Sequence, residues 1–197
     1  MPVLNIILIE DKEKDANAIK ETYQKAVSVI KEKQKLENYL GFSDVTITWL
    51  QGGAKTQKVN RKGETYYFYD ENICTKIQEQ LVKNREDEIC TGVLLDVSLS
   101  EAEFEKSAVN DYSDFKIAKM IYERFDEHAP IYVVTNIREF GSQVLNLMGT
   151  KELIRRYISK ALIIDYPSYG TIARTIKYMN GKSELDEKIE DEIDSWS

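Results

Sequence analysis

Val3-Leu4-Asn5-Ile6-Ile7-Leu8-Ile9-Glu10-Asp11 is the stretch that decides the fold. Its apolar residues, many of them β-branched, run almost unbroken, the pattern of a short strand covered on both faces. The run stops on two carboxylates. Strands buried on both sides belong to parallel sheets wrapped by helices, and the chain downstream repeats the same alternation.

From Glu13 to about Leu40, Ala16, Ile19, Tyr23, Ala26 and Ile30 recur at steps of three and four, followed by Leu36 and Leu40. That spacing predicts one long amphipathic helix ended near Gly41. Asp44–Leu50 alternates with period two and predicts a second strand. Thr56–Val59 and Thr65–Tyr69 flank a turn at Asn60-Arg61-Lys62-Gly63 and predict an inserted β-hairpin. A helix over about Glu71 to Arg85 leads to a third buried strand, Gly92–Val97. Ser98 to Ser113 is polar and acidic and reads as a loop with some helix. Asp114–Phe125 reads as helix, Ile131–Asn136 as strand, Glu139 to about Met148 as helix, Tyr157–Ala161 as a fifth strand, and Pro167–Met179 as the last core helix. Five strands alternating with helices predict an α/β fold with a doubly wound parallel sheet of flavodoxin-like order 2-1-3-4-5. The expected organisation is one domain over residues 1–180, with an insertion at about 51–70, and an acidic extension over 181–197.

Composition narrows the function. With 27 Lys+Arg against 34 Asp+Glu in 197 residues, the net charge is −7. A general nucleic-acid backbone binder needs a basic face, so nucleic acid is not an expected partner. Residues 181–197 hold seven acids and two bases, so most of the acidity belongs to that segment. The single histidine, His128, rules out a His-rich metal site. Cys74 and Cys90 are too few for a Cys-only zinc site, and their number suits buried free thiols in a reducing cytosol. The apolar N-terminus is too short for a membrane span and lacks a basic start, so a cytoplasmic protein without a membrane partner is expected.

Ligands of open α/β sheets sit beyond the C-terminal ends of the strands. The predicted ends supply Glu10 and Asp11, then Asp96, Thr135 and Lys160. Taken singly, an acidic pair after a strand is only favourable charge at a helix N-terminus, and a lone Asp is a turn former. Together they are three carboxylates, a hydroxyl and an ammonium in one place. Three carboxylates repel unless a cation sits among them, and hard oxygen ligands in that number suit Mg²⁺. A carboxylate so shielded can attack a phosphoryl group. The lysine would neutralise phosphate oxygens as a point charge, and the threonine would hydrogen-bond another.

Ile6–Asp11 (IILIED), Gly92–Leu99 (GVLLDVSL), Ile131–Asn136 (IYVVTN) and Tyr157–Ala161 (YISKA) together resemble the receiver domain of two-component response regulators. That resemblance implies Mg²⁺ held by Glu10, Asp11, Asp96 and the carbonyl of Ser98, with Asp96 as the phosphorylated aspartate. It implies Thr135 as the switch hydroxyl, Lys160 as the phosphate-binding lysine and Tyr157 as the aromatic switch. The sequence departs from the receiver pattern in the long interval between Asp11 and Asp96, in Asn136, and in Ala161 where receivers carry a proline. The expected partners are a histidine kinase or phosphotransfer protein as donor and a downstream protein as target, with homodimerisation a further output route. The chain is then no enzyme beyond making and losing its own acyl phosphate. Two other readings share these residues: a pseudo-receiver adaptor that is not phosphorylated, and a Mg²⁺-dependent phosphoryl-transfer or toprim-like enzyme. The enzyme readings want Asp-x-Asp, and Asp96-Val97-Ser98 lacks the second acid.

The aromatic run Tyr66–Tyr69 has two readings, local packing or a partner surface, and Trp49 is expected in the core.

Overall fold

In chain order the strands are β1 (Val3–Glu10), β2 (Asp44–Gln51), β3 (Thr56–Val59), β4 (Thr65–Phe68), β5 (Cys90–Asp96), β6 (Ile131–Thr135) and β7 (Arg156–Ser159). The helices are α1 (Glu13–Glu32), α2 (Leu36–Leu40), α3 (Asn72–Glu86), α4 (Ala161–Ile164), α5 (Tyr169–Met179) and α6 (Glu187–Asp194). The computed structural model describes residues 2–33, 36–52, 56–59, 65–68, 72–96, 120–121, 129–135, 156–180 and 187–196. The predicted loop over 98–113, the hairpin turn at 60–63, the helix over 139–148 and all but two residues of the helix over 114–125 lie outside them. No helix among the described residues is long and apolar enough to cross a membrane.

Five strands form one parallel sheet in the order β2-β1-β5-β6-β7. Counting those strands alone, this is the predicted 2-1-3-4-5 order. β3 and β4 pair antiparallel as the predicted hairpin, with Thr56 opposite Phe68. Period two then sorts the central strands onto two faces. Leu4, Ile6 and Leu8 of β1, Leu94 of β5 and Ile158 of β7 share a fully covered core with Ile19, Tyr23 and Ile30 of α1 and Ile172 and Ile176 of α5. Each such isoleucine or leucine contributes about 1.5–3 kcal/mol by leaving water. α3 packs against β2 and β5 and buries Ile73, Ile77 and Leu81. Gly92 lets α5 approach the sheet, since a Cβ there would collide with the Met179 side chain.

Two predicted elements differ from the structure. The single helix over Glu13–Leu40 is two: α1 ends at Glu32, with Lys33 as its C-cap, and α2 runs from Leu36. Lys31-Glu32-Lys33-Gln34-Lys35 offers no apolar residue to hold the stripe against the core between Ile30 and Leu36. The fifth strand stops at Ser159 instead of Ala161. The Lys160 carbonyl accepts from the amides of Ile163 (3.0 Å) and Ile164 (2.8 Å), so the chain coils at once into α4 and buries Ile163 completely. Every peptide bond among the described residues is trans, that of Lys160–Ala161 included.

The C-terminal helix packs on α5. Ile193 is fully buried, and Gly170 permits the contact because a Cβ there would lie 2.4 Å from the Glu190 carbonyl oxygen. Asp194 accepts from the Gly170 amide (2.8 Å) and from the Ser168 hydroxyl (3.1 Å) at the start of α5. Trp196 stacks on Tyr39 of α2, with ring centroids 6.1 Å apart.

Candidate functional site

The alternation that sorts the core also assembles the site. Glu10 follows Ile6 and Leu8 on the face of the sheet covered by α1 and α5, Asp96 follows Leu94, and Lys160 follows Ile158. All three leave the C-terminal ends of β1, β5 and β7, on one edge of the same parallel sheet, toward the same point. Backbone bonds fix the end of β1: the Glu10 carbonyl accepts from the Trp49 indole (3.0 Å) and from the Gly52 amide (3.0 Å). Trp49, expected in the core, is instead half-buried at its edge, with its indole nitrogen tied to the site strand.

Glu10 is completely buried, Asp96 is 5% exposed and Lys160 7%. Carboxylate oxygens of Glu10, Asp11 and Asp96 all lie within 4.8 Å of one another. Lys160 Nζ stands among them, 2.6 Å from Glu10 Oε2 and 3.2 Å from Asp96 Oδ1. The Lys12 amide donates to the other Glu10 oxygen, Oε1, at 3.1 Å. Glu10 Oε2 is buried yet has no hydrogen-bond partner. Its nearest donor is the Lys160 ammonium, which it meets as a short ion pair.

One ammonium cannot balance three converging carboxylates. Burial pushes Asp96 well above the usual carboxylate range, with the Glu10 charge adding to the rise and Lys160 opposing it. Burial also raises Glu10 against the pull of Lys160. Burial disfavours the Lys160 ammonium, but Asp96 and Glu10 outweigh it and hold that group above its ordinary value. The cluster is therefore short of positive charge, and either a proton or a cation relieves it. An all-oxygen donor set with one under-satisfied buried oxygen is compatible with a small hard divalent cation.

Of the residues expected from the sequence, Glu10, Asp11, Asp96 and Lys160 come together. Thr135 closes β6 opposite Ser159, and Tyr157 lies in β7 opposite Val133; for these two only the strand position is described. Ser98 lies outside the described residues. One participant escaped the sequence reading. Asp15, in the first turn of α1, places Oδ2 3.6 Å from Lys160 Nζ. An acid in a first helical turn reads as dipole compensation, and its position directly after the acidic end of β1 was the only other signal.

The sheet order defines a doubly wound, flavodoxin-like α/β fold with a hairpin added after the second parallel strand. No family model and no curated protein matches the sequence. Among solved structures, the chain is similar to the Vibrio cholerae chemotaxis protein CheY4, with 12% identity over 80% of this chain and 87% of that one, at a TM-score of 0.39. It is similar also to a response regulator from Colwellia psychrerythraea, with 9% identity over 90% and 98% of the two chains, at a TM-score of 0.40. At that distance neither structure adds to what the sheet order already states.

Proposed function

We propose that the chain is a phosphoacceptor signalling domain that takes a phosphoryl group on Asp96 in the presence of Mg²⁺. The observation that carries this reading is the convergence of one oxygen each from Glu10, Asp11 and Asp96 within 4.8 Å, beside the Lys160 ammonium. Glu10, Asp11 and Asp96, with the Ser98 carbonyl, would hold the metal, which supplies positive charge to the carboxylates and to the incoming phosphoryl oxygens. An oxygen of Asp96 attacks phosphorus, an O–P bond forms, and the bond to the donor breaks; a histidine donor leaves as imidazole and takes up a proton. Lys160 already meets Asp96 at 3.2 Å, and it neutralises charge on the phosphoryl group once that group is in place. Thr135, at the end of β6, is assigned the hydroxyl that follows the phosphoryl group, and Tyr157 the aromatic that moves with it. Donors are a histidine kinase or a phosphotransfer protein, and output is by contact with another protein or a second copy of the chain. Its own catalysis extends no further than forming and hydrolysing the acyl phosphate.

A second reading draws on one observation. Lys160 sits on two of the three clustered carboxylates, as a built-in counter-ion would in an adaptor that never binds metal. Titration with Mg²⁺ and beryllofluoride, followed through tryptophan fluorescence, separates the two. Saturable quenching that needs both reagents supports the phosphoacceptor. No response from the folded protein supports the adaptor.

A further inference from the structure

Lys160 and a cation at this site would share two carboxylates. The ammonium contacts Glu10 and Asp96, and both belong to the clustered trio. For a cation to take the Glu10 oxygen that Lys160 holds, Lys160 must withdraw from it, and an ammonium at a buried site withdraws only toward another acceptor. Among the described residues, Asp15 is the acceptor in reach. It meets Lys160 Nζ at 3.6 Å, and it is not one of the clustered trio. Its side chain is 28% exposed, whereas Glu10 is wholly buried, so it is the wetter end of the lysine's reach. It is carried on α1, which packs against α4, the helix that begins directly after Lys160.

We propose that Asp15 is a positioning residue that receives the Lys160 ammonium when a divalent cation occupies Glu10, Asp11 and Asp96. This rests on the phosphoacceptor reading of the same site and adds to it a named carboxylate outside the metal ligands. The consequence is an exchange of partners: Lys160 turns from Glu10 toward Asp15, keeps its charge, and stays beside Asp96. Without Asp15 the ammonium either remains on Glu10, opposing the metal, or leaves the site for solvent.

The test is a double-mutant cycle on Mg²⁺ affinity, measured calorimetrically on the full chain with Asp15→Asn, Lys160→Gln and the pair. Asp15→Asn is expected to weaken Mg²⁺ binding about fivefold, and Asp15→Glu to restore most of it. In the Lys160→Gln background the effect of Asp15→Asn should fall below about twofold, because no ammonium is left to receive. An undiminished effect in that background overturns the proposal, since Asp15 would then act only as a distant charge on the metal. Wild-type protein that binds no Mg²⁺ overturns both this inference and the phosphoacceptor reading, whereas Mg²⁺ binding with an additive cycle overturns this inference alone. Should Lys160→Gln not fold, the structure of the wild-type Mg²⁺ complex decides. Lys160 Nζ nearer to Asp15 than to Glu10 supports the proposal, and Nζ still against Glu10 overturns it.

Discussion

β1 carries two buried polar residues near its opposite ends, Asn5 and Glu10, and the two neighbourhoods are built on different terms. Around Asn5 every partner is neutral. Its amide nitrogen donates to the Thr46 hydroxyl (2.9 Å) and the Thr48 hydroxyl (3.0 Å), and its oxygen accepts from Asn84 (3.1 Å). Asn84 also donates to Thr91 (2.9 Å) and accepts from Gln80 (2.8 Å). This network pins α3 to β1, β2 and β5, and its hydrogen bonds are made within the fold. Around Glu10 the partners are ionic: three carboxylates cluster, and one ammonium contacts two of them. A satisfied network holds structure. An under-satisfied, charge-unbalanced one waits for something else.

Four measurements press on that contrast. The largest effect is expected from Glu10→Gln combined with Asp11→Asn, which removes two of the three clustered carboxylates. Mg²⁺ affinity should drop about a hundredfold or more by calorimetry, because a hard cation is left with one charged oxygen ligand. Mg²⁺ binding that survives the double change would contradict the site assignment. Next comes Asn84→Ala, which strands the Asn5 oxygen and opens a cavity under α3. It should cost about 2–3 kcal/mol in denaturant unfolding while leaving Mg²⁺ affinity unchanged. A loss of metal binding there would show that the two regions are not independent.

The third measurement is pH dependence. Burial, the leading cause for each, raises Asp96 and Glu10 above their unfolded values, so the folded chain binds more protons than the unfolded one over the interval between those values. Their contribution to metal-free stability therefore falls as pH rises from the ordinary carboxylate range through the raised folded values. Mg²⁺ affinity rises over the same interval, because metal and proton compete for the same oxygens. Thermal melts with and without Mg²⁺ should diverge as pH increases. Asn84→Ala should lower both curves alike, since its network has no group that titrates. Parallel curves with and without the metal would remove the charge imbalance from the account. The smallest effect belongs to Gln80→Ala. Gln80 touches the neutral network from its half-exposed side, and the change should cost under about 1 kcal/mol.

The two regions also differ in how they could be read from the sequence. Glu10, Asp11 and Asp96 were legible because each ends a recognisable strand, and strand ends in such a sheet converge by topology. Lys160 was legible too, although β7 stops one residue short of it and the chain turns into α4. The Asn5 network was not legible. Asn5 sits in an apolar run, its partner Asn84 is 79 residues away on a helix face, and no periodicity links them. Asp15 was hidden for the same reason: local pattern reports which face a residue occupies, and only tertiary contact reports what it meets. The break between α1 and α2 needed a different signal, the absence of any apolar anchor between Ile30 and Leu36.

On the proposed reading, the charge-unbalanced end of the sheet accepts a phosphoryl group on Asp96. Incubation of the full chain with Mg²⁺ and acetyl phosphate, followed by intact-mass measurement, tests it most directly. The wild-type protein should gain the mass of one phosphoryl group, the gain should require Mg²⁺, and Asp96→Asn should abolish it. A folded, Mg²⁺-binding wild-type protein whose mass does not change, or an Asp96→Asn protein that gains the same mass, would contradict it.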